Sequence, residues 1–204
     1  MIKEVKNVIL VVAALPAVLW GANRTFPGSG GNLAGDGSSD WNGSVPGADD
    51  VVILDKSGVY TLSSNITFKS LRPQADGIVL RFGEKRLTTS GILGNPPRDA
   101  TITYDGGTFD LSGDGSFNPA QAGVTGVSTI VTNGCVVTNV STFNATSYAS
   151  LSRTFVSGGS RIYSSTVNVC RMGGSGNRLE IVDGAQVHVD ETVSFGGSGG
   201  TPTA

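Results

Sequence analysis

The sequence is short of charge. Charged residues fill 15% of its 204 positions and the net charge is −2, against a usual charged share of about 25%. No Lys/Arg-rich run and no acidic tail occur. A nucleic-acid partner therefore gets no electrostatic support, since that binding rests on neutralising phosphates. One histidine and two cysteines leave neither a CxxC pair nor a Cys/His cluster, which excludes the ligand sets of a zinc site. The calcium nonapeptide GGxGxD is absent as well, so no metal and no cofactor is expected. The longest apolar run, Val8–Trp20, has 13 residues, too few for a membrane span of about 20.

That run has a different reading. Lys3 and Lys6 precede it, and Leu19-Trp20-Gly21-Ala22 follows with small residues. Residues 1–22 thus read as an export signal, with a retained N-terminal helix or uncleaved anchor as the alternative. No transmembrane segment is expected beyond it, and the product is placed outside the cell or on its surface.

What the chain has in quantity is glycine, 30 residues in all. Six of them, Gly58, Gly83, Gly107, Gly134, Gly159 and Gly184, stand 25, 24, 27, 25 and 25 residues apart. Five positions before each stand Ile53, Ile78, Ile102, Thr129, Thr154 and Leu179. Three before stand Asp55, Leu80, Tyr104, Val131, Val156 and Ile181, and three after the later glycines stand Val137, Ile162 and Val187. Alternating apolar and β-branched residues make short strands. A repeat of this length in an all-β pattern predicts a parallel solenoid whose columns stack into one long core. A β-sandwich with evenly spaced hairpins is the alternative. Cys135 and Cys170 are 35 residues apart, not a multiple of the repeat. They are either two small buried thiols or a disulfide where corners of adjacent coils meet.

Ahead of the repeat, residues 23–50 are rich in Gly, Ser and Pro and read as a lead-in and cap. They end in Asp40-Trp41-Asn42-Gly43-Ser44-Val45-Pro46-Gly47-Ala48-Asp49-Asp50, followed by Val51-Val52-Ile53-Leu54. This W-N-G-x-V-P-G-x-D-D-V-x-I stretch, with the glycine-spaced coils after it, resembles secreted bacterial β-helical surface proteins: passenger-type regions of autotransporters and pectin-lyase-like solenoids. The resemblance implies a single-stranded right-handed parallel β-helix, with about six coils of about 25 residues over 51–200 and a tail at 201–204. Trp41 is expected to be the lid on the first coil, because a solenoid exposes strand edges at its ends; a sugar-stacking platform is the other use of such a ring. Leu111–Gly126 and Asn144–Ser152 read as projecting loops. The glycine-rich C-terminal end carries no lid. That suggests truncation, a tail folded over the last coil, or contact with another chain.

β-Helices include polysaccharide lyases and glycoside hydrolases, so catalysis must be weighed. A hydrolase needs two converging carboxylates. Adjacent strand residues point to opposite faces, which separates Asp49 from Asp50 and Asp190 from Glu191. Asp110 and Asp114 flank a glycine turn and can meet, although Asp also favours such turns for local reasons. His188 is expected to point outward. No residue is assigned a catalytic role. Candidate ligand-binding residues are Tyr148, Tyr163, Asp110, Asp114 and His188. Tyr60, Tyr104, Tyr148 and Tyr163 in one groove would favour a glycan, and Lys69, Arg72, Arg81, Lys85, Arg86 and Arg98 lean toward an anionic partner. The expectation is a secreted, non-catalytic solenoid with an adhesive, surface or self-assembling role, its partners other copies of itself or cell-surface glycans. The alternative is a carbohydrate-active β-helix or a glycan-binding fragment of one.

Overall fold

The computed structural model describes residues 21–35, 41, 44–112, 115–119, 124–146, 150–170 and 175–196. Residues 1–20 of the segment read as an export signal, Asp114, Tyr148 and the tail 201–204 lie outside these. Among the described residues the chain is all β, with no helix. It winds as a parallel β-solenoid of about six turns, roughly 25 residues apart in its later part.

Three parallel ladders run the length of the coil. The first joins Asn23–Thr25, Val51–Leu54, Ser70–Pro73, Gly91–Leu93 and Ser116–Asn118, then 142–144, 166–169 and 192–195. The second joins Gly31–Asn32, Gly58–Thr61, 78–81, 101–105, Ser128–Thr132, Arg153–Val156 and Arg178–Ile181. The third joins Ile66–Phe68, 87–89, 108–110, 136–138, 161–164 and 186–189. The sheet therefore begins inside the lead-in, at Asn23.

Register makes the core. Val52, Leu71, Ile92, Phe117, Phe143, Val167 and Val193 lie one above another in the first ladder. Ile66, Leu87, Phe109, Val137, Ile162 and Val187 do so in the third. Like side chains stacked in a column fill the interior without voids, and each turn covers the apolar surface of the last. Aromatic rings reinforce this, with Phe117 stacked on Phe143 at 5.2 Å and Phe82 on Phe109 at 4.8 Å between centroids.

The corners explain four of the six glycines. Gly106-Gly107, Asn133-Gly134, Gly158-Gly159 and Asp183-Gly184 each take positive φ at both residues. Cys135, Ser160 and Ala185 close the last three of these turns by donating their amides to Thr132, Ser157 and Val182. Two successive left-handed residues are the geometry of a type I′ turn, open to Gly, Asn and Asp and costly for other side chains.

The sequence register fails in the first turn. Ile78, Ile102, Thr129, Thr154 and Leu179 are in register as read, but Ile53 pairs with Thr25 and Arg72. The partner of Leu80 is Tyr60, not Asp55, and Gly58 pairs with Ile78, not Gly83. Val51 pairs with Ser70 and Gly58 with Ile78, spacings of 19 and 20 residues, so a period near 25 overshoots there. Gly58 is a glycine for another reason: a Cβ at this position would lie 2.5 Å from the backbone of Ser29. The supposed loop Leu111–Gly126 also contains strand Ser116–Asn118, whose Phe117 is buried in the core.

Candidate functional site

The first turn is closed. Trp41 is 6% exposed, donates its indole N–H to the Leu33 carbonyl at 3.1 Å and meets Phe26 edge-on at 4.8 Å. Phe26 in turn meets Tyr60. A ring held this way on both its apolar and polar sides covers the end of the core and offers no free face to a sugar.

The last described turn exposes apolar side chains. Among the described residues, Arg178–Ile181 pairs only with Arg153–Val156, and Gln186–Phe195 only with Arg161–Val169. Val193 is 46% and Phe195 65% exposed there, whereas Val167 directly beneath Val193 is 1%. Ile181 is exposed as well. The same side-chain positions that make the core in every other turn become surface here, because no described strand follows.

Of the candidate ligand residues, Tyr163 and His188 stand near the corner between the third and first ladders, and Asp110 bonds to Asn139 there. Two β-bulges shape it. Val136–Asn144 carries an extra residue between Val137 and Val140, with Asn139 at φ 57°, and Gln186–Phe195 carries one between Val189 and Thr192. Bulges push side chains out of the sheet. Asn139 and Asp190 line a groove of about 560 Å³ together with Tyr163, Ser164 and Ser165. Tyr163 stacks on His188 with ring centroids 4.7 Å apart and planes within 5°, and His188 Nε2 lies 3.0 Å from Gln186 Oε1. His188 is exposed, in line with the outward direction expected of it.

The carboxylates that might have done chemistry hold the coil together. Asp110 accepts from Arg86 Nη1 at 3.2 Å and from Asn139 Nδ2 at 2.7 Å. Asp105 accepts from Arg81 Nε and Asn133 Nδ2, both at 2.6 Å. Burial pushes the Asp105 carboxyl up, but these two donors outweigh it and hold it below the usual range. Asp50 is held low as well, chiefly by the Gly47 amide, against some burial, with further help from the Ala22 amide and Arg24. A lowered value keeps Asp105 and Asp50 ionised, unlike a general acid, which needs a raised one.

The four tyrosines do not form a groove. Tyr60 and Tyr104 are buried, and Tyr60 donates to the Lys56 carbonyl at 2.7 Å. Of the described tyrosines, only Tyr163 reaches the surface. The basic residues also divide: Arg81, Arg86 and Arg98 have carboxylate partners in Asp105, Asp110 and Asp99. Cys135 and Cys170 are both free and buried, so the two are separate thiols. Sequence reasoning expected an end without a lid but did not place Val193 and Phe195 there, and it missed the two bulges. The exposed Val193 and Phe195 belong to ordinary core columns, so nothing local marks them. A bulge is only a one-residue mismatch between neighbouring turns.

Comparison with family models, curated proteins and solved structures returned no match.

Proposed function

We propose that this chain is a secreted, non-catalytic structural solenoid that associates with a second copy of itself through its last turn. The reading of secretion rests on the basic, apolar and small-residue pattern of residues 1–22. The reading of assembly rests on one observation: among the described residues, the apolar side chains of Ile181, Val193 and Phe195 are exposed together on the last turn. An unpaired strand edge with apolar side chains beside it templates pairing with another chain. A contact between the last described turns of two copies about a two-fold axis would cover these side chains. The outermost strand suits it: in antiparallel pairing centred on Leu179, Arg178 falls opposite the partner's Glu180, and cross-strand pairs of opposite charge stabilise a sheet. The engagement of Asp105 and Asp110 in ion pairs supports the non-catalytic half of the reading.

Sedimentation of residues 21–204 over a concentration series tests this. A reversible dimer is expected, reduced to a monomer by Ile181→Lys with Phe195→Lys. A wild-type chain that stays monomeric at all concentrations would sink the assembly reading.

The groove at Tyr163 favours a second reading, a glycan-binding face. Its lining combines an amide, a carboxylate and several hydroxyls, which suits a neutral oligosaccharide held by hydrogen bonds beside an aromatic ring. Titration with a panel of neutral oligosaccharides should show binding that Tyr163→Ala abolishes; binding unchanged by that substitution would remove this reading.

A further inference from the structure

Lys69 and Arg72, unlike Arg81, Arg86 and Arg98, have no carboxylate partner among the described residues. Both line one depression on the first ladder, with Ser70, Ser90, Gly91 and Ser116. Its origin is local. The pairing of Leu71 with Ile92 and of Gly91 with Ser116 sets Gly91 between Ser70 and Ser116 in the outward column. A residue without a side chain there leaves a hollow of about 270 Å³. The closest acid in sequence, Asp76, accepts from the Thr101 amide, and Asp50 is engaged by Arg24.

Two residues that line this hollow each carry a buried, unsatisfied polar atom. Ser70 is 8% exposed, and neither its Oγ nor Arg72 Nε has a hydrogen-bond partner among the described residues. An unmade bond at a buried donor is costly, and such groups in a native fold call for an explanation. A hydroxyl, a guanidinium N–H and an ammonium around one hollow supply donors and positive charge together. That combination matches an acceptor that is anionic and compact, since guanidinium and ammonium groups bind oxyanions through charge-assisted hydrogen bonds.

We propose that the hollow over Gly91 is a binding site for a tetrahedral oxyanion, a sulfate or phosphate group carried on a larger molecule. Lys69 and Arg72 neutralise it, Ser70 donates to one of its oxygens, and the missing side chain at Gly91 gives it room. The site is on a different part of the surface from the Tyr163 groove and does not depend on assembly.

Calorimetric titration of the folded protein at constant ionic strength tests the site with four probes: inorganic sulfate, inorganic phosphate, a sugar sulfate ester and a sugar phosphate ester. Saturable binding is expected, and the tighter ester identifies the source of the group. Lys69→Gln and Arg72→Gln should each weaken it about tenfold or more. Gly91→Ala is the most telling variant. Its φ is not in the left-handed region, and the new Cβ would lie 3.5 Å from the Ser116 carbonyl oxygen, an ordinary contact. It should leave the melting temperature nearly unchanged and reduce the affinity. Ser70→Ala should weaken binding while leaving the unliganded protein no less stable, because it removes an unsatisfied hydroxyl. The proposal is overturned if no probe binds the folded wild-type protein, or if binding is indifferent to Gly91→Ala and Lys69→Gln.

Discussion

Asn168 donates its side-chain amide to Asn144 Oδ1 at 2.9 Å, one turn of the coil away. Asn144 passes the bond on to Asn118, so three buried or part-buried amides form a ladder along the axis. Each amide has both a donor and an acceptor, which lets a column of them satisfy itself without water. Asn144→Ala would leave Asn168 Nδ2 and Asn118 Oδ1 both unpaired, at a cost of about 3 kcal/mol. Asn168→Ala breaks only one of the two bonds and should cost less. Urea unfolding of both variants checks the order, and equal costs would count against a cooperative ladder.

Gly107 and Gly184 share a corner geometry but not an environment. A Cβ at Gly184 would meet nothing within 4 Å, whereas one at Gly107 would lie 2.5 Å from Phe82 Cβ. Gly184→Ala should therefore cost only the left-handed backbone penalty, about 1–2 kcal/mol. Gly107→Ala adds overpacking of about 1–3 kcal/mol on top. Thermal unfolding of the pair separates the two terms.

Asp105 ties stability to acid. Its folded-state pKa is lowered, with burial opposing and the Asn133 amide and Arg81 prevailing, against about 3.9 in an unfolded chain. A depressed carboxyl contributes stability that is present above the unfolded value and is lost as pH falls through the folded one. Wild-type stability should hold near neutrality and fall below about pH 4. Asp105→Asn should be less stable at neutral pH and should converge on wild type in strong acid. The exposed Arg81 partner keeps the difference small, so chemical unfolding at several pH values is the suitable measurement.

Cys135 and Cys170 should be silent to a thiol reagent in the folded protein. Both are buried, and burial raises the Cys135 thiol pKa, with the Asp105 charge adding to it, while the thiolate is the reactive form. Labelling should appear only on unfolding, and a reductant should leave the melting temperature unchanged. Rapid labelling of the native protein would contradict the burial of both side chains.

Much of the fold was legible because a solenoid writes its register into the sequence. From Ile78 onward, the positions five and three residues before each repeat glycine are the ones that stack. The signal failed where turn length changed, at Ile53, Asp55 and Gly58, and where turn-forming residues surround a core side chain, at Phe117. The candidate site was less legible. Tyr60 and Tyr104 look like surface candidates by type, yet they occupy the same inward column as Leu80 and Val131. Asp110 looked like a partner for a second carboxylate, and the coil instead gives it Arg86 from the turn before and Asn139 from the turn after.

By itself the sequence determined the parallel coil, its period and most of its core columns, because these follow from local alternation and from residues able to turn the backbone left-handed. Only the tertiary structure decided which charges are neutralised, which aromatic rings face inward, and where the surface is left open. Those depend on the turn above and below each residue, some 25 positions away in the chain. Lys69 and Arg72 differ from Arg81 and Arg86 in no local way. What separates them is that an acid lies beside the latter pair in the next turn, while Gly91 leaves a hollow beside the former.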